Sequence, residues 1–108
     1  EHLAEFLSDE LHCEVVKCYD GKEALEVCQK MQFDLICTDH KMKEMNGSEF
    51  IVALRNSVDH NAQVPVILIS AFIPDVPSRI HEIEKVFFVE KPVAYDRLLR
   101  YAKMSMIK

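Results

Sequence analysis

Glycine and proline are scarce in this chain, two and four residues among 108. That scarcity excludes collagen-like and low-complexity chains, and with apolar residues at 49% of the sequence a packed core is expected instead of disorder. Long hydrophobic runs are missing as well. The longest, residues 64–73, contains a proline and a serine and is far shorter than the roughly 20 residues that cross a bilayer. Neither a membrane helix nor a signal peptide is expected. Positive charge is in deficit, 13 Lys and Arg against 18 Asp and Glu for a net charge of −5. A nonspecific grip on a nucleic-acid backbone needs the opposite balance. The cysteines, Cys13, Cys18, Cys28 and Cys37, lack C-x-x-C spacing, and three of them fall in apolar runs. They read as buried structural thiols of a reducing, cytoplasmic protein rather than as a metal or redox site. A chain of this length builds one core, so residues 1–108 are expected to form a single domain.

What is present is an alternation of two periodicities. Leu3, Phe6, Leu7 and Leu11 recur at helical spacing, so the chain is expected to open inside an amphipathic helix that already runs from residue 1. Residues 13–18 read as a strand, and an Asp20-Gly21 turn leads into a helix that buries Ala24, Leu25, Cys28 and Met31. Residues 33–38 are nearly all apolar, as in a strand covered on both faces, and a loop is expected over 39–47. A helix over 48–57, a strand over 66–69 and a strand over 85–89 continue the pattern. Between those two strands Pro74 and Pro77 restrict the chain to a short helix starting at about Pro77, with Ile80 and Ile83 inward. After Pro92, Tyr95, Leu98, Leu99 and Ala102 mark a closing helix. This order predicts an α/β fold, a doubly wound parallel sheet with helices on both faces.

In such sheets ligands bind beyond the carboxyl ends of the strands. The predicted strand ends bring Asp39, Ser70 and Lys91 to one edge. A carboxylate there can attack phosphorus and form an acyl phosphate if cations and donors neutralise the phosphoryl oxygens. Lys91 offers a compact cation, Ser70 a rotatable hydroxyl, and the loops after Asp39 and Ser70 offer backbone N–H groups. Taken alone, Asp39 reads as a turn or cap aspartate; the combination favours a phosphoacceptor. His40, beside it, reads as a solvent-facing loop histidine, and His2, His12, His60 and His81 as surface residues. Met42 and Met45 read as apolar plugs under the loop.

These residues resemble the receiver domains of two-component response regulators. Asp34-Leu35-Ile36-Cys37-Thr38-Asp39 with Met42, Met45, Asn46 and Gly47 is similar to the family's phosphoacceptor strand and loop. Val64-Pro65-Val66-Ile67-Leu68-Ile69-Ser70-Ala71 resembles its fourth strand and Phe88-Val89-Glu90-Lys91-Pro92 its fifth. The resemblance implies a flavodoxin-like fold and phosphorylation of Asp39, with Mg²⁺, from the phosphohistidine of a histidine kinase or phosphotransfer protein. It implies that Lys91, Ser70 and Ala71 bind the phosphoryl group, that Ser70 and Phe88 move as a switch, and that a cis peptide joins Lys91 to Pro92. Lys41 and Phe72 take positions that tune hydrolysis of the acyl phosphate. Partners would be that kinase and an output domain or effector, with no nucleic acid or membrane, and dimerisation is left open. Whether the receiver stands alone or belongs to a hybrid histidine kinase is open too.

The pattern departs from the family in three places. The acidic pair that ends the family's first strand and binds Mg²⁺ falls before Glu1, while Asp9 and Glu10 lie on the first helix. The chain is therefore expected to be an N-terminally incomplete receiver, with two strand edges open where the first strand is absent and Mg²⁺ held weakly by Asp39 and the Lys41 carbonyl. Lys43 replaces the usual proline, and the Gly-Ala before the last strand is missing. These departures keep alive a different class, a phosphorylation-independent pseudo-receiver that only binds proteins. A dehalogenase-like phosphatase needs a second aspartate where Lys41 stands, and a flavin site needs a Ser/Thr/Gly-rich loop that is absent.

Overall fold

The computed structural model describes residues 3–43, 45–57 and 60–106. Helix α1 spans Leu3–Leu11, strand β1 Val15–Asp20, helix α2 Gly21–Lys30 and strand β2 Leu35–Lys43. Helix α3 (Gly47–Arg55), strand β3 (Val66–Ser70), strand β4 (Val86–Glu90) and helix α4 (Tyr95–Ser105) complete the regular elements. The strands form one parallel sheet in the order β1-β2-β3-β4. The predicted helical start at Glu1 and the surface reading of His2 lie outside the described residues.

Strand alternation sorts the apolar side chains onto two faces. On one face Ile36, Val66 and Leu68 pack with Ala24 and Cys28 of α2 and with Phe50, Ile51 and Leu54 of α3. On the other, Leu35, Cys37, Ile67, Ile69 and Val89 meet Leu3 and Leu7 of α1 and Leu98 and Ala102 of α4. The rings of Phe6 and Tyr95 close the α1–α4 seam at 4.8 Å. Every residue of β3 is buried, as a central strand covered on both faces requires. Crossovers of one hand that always step to the next strand put their helices on one side, which is where α2 and α3 lie.

Four expectations need correction. The sheet has no gap: β1 pairs directly with β2 from Val15↔Leu35 to Cys18↔Thr38, so the two expected open edges satisfy each other. Strand β2 does not end at Asp39 but runs on to Lys43, because a bulge after Cys18 lets Asp20 reach Lys43. Between β3 and β4 there is no α-helix; the two prolines leave room only for 3₁₀ turns at Ile73–Asp75 and Ser78–Glu82, with Ile80 buried and Ile83 half-buried. Helix α3 starts at Gly47, capped by Asn46, whose side chain accepts from Glu49 N while the Glu49 carboxylate accepts from Asn46 N.

One buried side chain ties the layers together behind the sheet. Asn61 is fully buried; its amide oxygen accepts from Phe33 N at 2.9 Å, and its nitrogen donates to Cys28 O at 2.7 Å and Met31 O at 2.6 Å. It thereby ends α2 and starts the approach to β2. Asn61→Ala removes three buried hydrogen bonds to backbone groups and is expected to cost about 3 kcal/mol of stability, read from the midpoint of urea unfolding; an unchanged midpoint would contradict the role.

Candidate functional site

The carboxyl ends of β2, β3 and β4 meet at one edge, and their register places the side chains that converge there. Asp39 pairs with Ile69, Ser70 with Glu90, and Lys91 N donates to Ser70 O at 2.8 Å. The Lys91 side chain follows directly after β4, and its Nζ lies 3.6 Å from Asp39 Oδ1. This is a charge contact slightly too long for a hydrogen bond. Lys91 joins Pro92 through a cis peptide, as the resemblance implied.

A second ammonium faces the same carboxylate. Lys17 Nζ donates to Asp39 Oδ2 at 3.0 Å, with a side chain only 4% exposed. Strand parity explains the meeting: Lys17 pairs with Cys37, so Asp39, two residues further along β2, projects to the same face one diagonal step away. The Tyr19 ring, again two residues along, lies 4.3 Å from the same Nζ. Sequence reading missed Lys17, because it assumed another strand between these two. Asp39 Oδ1 is buried and has no hydrogen-bond partner. Two cations thus contact one carboxylate, which favours the approach of an anion.

The other candidate residues take distinct places. Ser70 is buried, and its hydroxyl is engaged in its own turn, donating to Phe72 O at 3.0 Å and accepting from Phe72 N at 3.1 Å. Ala71 and Phe72 are exposed on that turn, and with Lys41 and Lys91 they border a shallow recess at the sheet edge. His40 also lines this recess, but it does not face solvent as expected: it is buried, with Nδ1 3.1 Å from Ser48 Oγ. The continuation of β2 past Asp39 turns His40 inward toward the start of α3. Met42 and Met45 pack on the core under this segment, as expected, and the Thr38 hydroxyl donates to Met42 Sδ. Phe88 is half-buried on β4 and stacks on His81 at 4.2 Å. His81 is exposed, as expected, but this contact was not foreseen.

The thiols are structural. Cys18, Cys28 and Cys37 are buried and all four cysteines are free. Burial, with the neighbouring Cys28 and Cys37 adding to it, pushes the Cys18 thiol up to about 12, which leaves almost no nucleophilic thiolate.

The donors among the described residues do not by themselves complete a divalent-cation site. Among the described residues no group of three His, Cys, Asp or Glu side chains could hold a metal. Among the described residues Asp39 brings a carboxylate to this edge, and that carboxylate is already in contact with two ammonium groups. Mg²⁺ requires more oxygen ligands than this.

Comparison with known proteins places the chain in a family. The response regulator receiver domain matches residues 1–103, and the chain belongs to that family. It is 37% identical over 100 residues to a response regulator receiver protein of Anaeromyxobacter sp. (strain Fw109-5), covering 92% of this chain and 40% of that protein. It is 33% identical over 94 residues to the cyclic di-GMP phosphodiesterase response regulator RpfG of Xanthomonas campestris pv. campestris (strain 8004), covering 85% of this chain and 24% of that one. The chain thus spans less than half the length of either relative. Among solved structures, the chemotaxis response regulator CheY4 of Vibrio cholerae superposes with a TM-score of 0.79 at 25% identity, over 96% of this chain and 87% of that one. The receiver domain of the sensor histidine kinase PA1611 of Pseudomonas aeruginosa PAO1, solved with a magnesium ion in its active-site cleft, gives 0.76 at 18% identity, over 94% and 84%. The chain is thus a receiver domain of two-component signalling with the flavodoxin-like α/β fold.

Gly47 shows how tightly the start of α3 is drawn against Asp39. A Cβ there would collide with the Asp39 carbonyl and sit 2.6 Å from Leu68 Cδ1. Gly47→Ala is expected to cost about 1–3 kcal/mol through overpacking, measured by thermal unfolding; a variant as stable as the parent would contradict this packing.

Proposed function

We propose that Asp39 is the phosphoacceptor of this receiver and takes its phosphoryl group from the phosphohistidine of a histidine kinase or phosphotransfer protein. The reading is carried by the Lys91 ammonium 3.6 Å from Asp39 Oδ1 at the carboxyl edge of the sheet. A carboxylate oxygen forms the O–P bond as the P–N bond to the donor imidazole breaks. The electron pair passes to the imidazole nitrogen, which takes up a proton. Lys91 opposes the charge on the phosphoryl oxygens, and the Ser70 hydroxyl and the Ala71 N–H complete the cradle once the Ser70 turn onto Phe72 opens. That rearrangement, coupled to Phe88 and its contact with His81, would alter the surface formed by the 3₁₀ turns, β4 and α4, where an output domain or effector binds. The same face could serve a second copy of the domain. Buried free thiols support a reducing, cytoplasmic setting, and no helix among the described residues is long and apolar enough to cross a membrane. Among the described residues Asp39 and the Lys41 carbonyl would hold Mg²⁺, which the family uses.

That sparse donor set supports a second reading, a pseudo-receiver that binds partners without being phosphorylated. Intact-protein mass measurement after incubation with acetyl phosphate, with Mg²⁺ supplied, separates the two. Phosphotransfer predicts a gain of one phosphoryl group, lost in Asp39→Asn and slowed about a hundredfold in Lys91→Ala. No gain, or a gain that survives in Asp39→Asn, favours the pseudo-receiver.

The exposed Phe72 ring borders the recess beside Lys91. It would screen the acyl phosphate from water and prolong the phosphorylated state. Autodephosphorylation of Phe72→Glu is expected to be severalfold faster than that of the parent chain; equal rates would remove this role.

A further inference from the structure

We infer that Glu90 is a latch on the turn after β3, a positioning residue whose carboxylate holds Ile73 N and thereby keeps the Ser70 hydroxyl engaged in that turn. For its consequence in phosphotransfer the inference rests on the phosphoacceptor reading of Asp39; the latch itself does not.

Register and parity set the arrangement. Ser70 ends β3 directly opposite Glu90 at the end of β4, and partners on neighbouring parallel strands project to the same face of a sheet. Both side chains therefore reach the chain that leaves β3. Ser70 Oγ accepts from Phe72 N at 3.1 Å and donates to Phe72 O at 3.0 Å, while Glu90 Oε2 accepts from Ile73 N at 3.2 Å. Two consecutive amides are thus held from two strands, one of them by a charged acceptor.

The turn is also bonded within itself, which makes it move as one piece. Asp75 N donates to Phe72 O at 3.0 Å and Val76 N to Ile73 O at 2.8 Å, closing the 3₁₀ turn Ile73–Asp75. Val76 is buried in the core, whereas Ala71, Phe72, Pro74 and Asp75 are exposed and Ile73 is half-buried, so residues 71–75 are the stretch that can lift. Lifting it breaks the Glu90 bond and the Ser70 bonds together. The same stretch brings Ala71, Phe72 and Asp75 to the recess beside Lys91. Under the proposed function an incoming phosphoryl group draws the Ser70 hydroxyl off Phe72, so Glu90 sets how readily that cradle forms.

Solvent exchange of the Phe72 and Ile73 amides, followed by nuclear magnetic resonance of the 108-residue chain, tests the latch in Glu90→Gln, Glu90→Ala and Ser70→Ala. Circular dichroism reports whether each variant is folded. Glu90→Gln keeps an acceptor oxygen and Glu90→Ala does not, and because both are neutral the loss of charge acts on their amides alike. The Ile73 amide is expected to exchange about threefold to tenfold faster in Glu90→Ala than in Glu90→Gln, the effect of one hydrogen bond. The Phe72 amide, which is bonded to Ser70, is expected to speed up by a similar factor. Ser70→Ala is expected to release Ile73 in return, since coupling between two sites is reciprocal. A Phe72 amide that exchanges equally fast in Glu90→Gln and Glu90→Ala would overturn the latch and leave Glu90 a local surface contact. Phosphorylation by acetyl phosphate, with Mg²⁺ supplied, is read separately and is expected to be about threefold faster in Glu90→Ala than in Glu90→Gln; equal rates would strip the latch of its part in phosphotransfer. Coupled amides in a chain that never gains a phosphoryl group would refute the phosphoacceptor reading and leave the latch in place.

Discussion

The carboxylate of Asp39 is clasped between two ammonium groups, Lys17 from β1 and Lys91 from the end of β4, and the arrangement of the sheet can be understood from that clasp. A partly buried carboxylate is costly unless charge and hydrogen bonds compensate it. Here compensation arrives from both sides along the plane of the sheet, because β2 is flanked by β1 and, one strand beyond β3, by β4. Two ammonium groups at one carboxylate favour an approaching anion, and under the proposed function that anion is a phosphoryl group, which an aspartate can itself bind covalently.

The fold serves that site by separating duties between its two faces. The layer of α2 and α3 fills one side with Phe50, Ile51 and Leu54, while α1 and α4 seal the other. At the carboxyl edge Ser70 folds back on Phe72, and Gly47 lets α3 begin against the Asp39 carbonyl. Under the proposed function, the turn after β3 together with the 3₁₀ segment is the part that rearranges. There the Phe88–His81 stack, with Phe88 only half-buried, is the contact available to change.

Much of this could be read in the amino-acid order. The switch from a period of two to one of 3.6 located the strands, and the rule that ligands sit beyond parallel strand ends brought Asp39, Ser70 and Lys91 together before any coordinates did. Other features depended on contacts that sequence does not display. Residues 40–43 look like a polar loop, yet β2 continues through them because Asp20 pairs with Lys43, and that continuation buries His40 against Ser48. Pro74 and Pro77 signalled a restricted segment but not that it would close as 3₁₀ turns. Lys17 was legible only to a reader who paired β1 with β2; its parity with Asp39 then follows from simple counting.

Borohydride trapping tests the central claim most directly. An acyl phosphate on an aspartate is reduced by borohydride to homoserine, so treating the acetyl phosphate-reacted chain and sequencing its peptides reports the modified carboxylate. Homoserine at position 39 is the result that a lysine-clasped phosphoacceptor requires. Homoserine at another aspartate, or none after full reaction, would contradict it.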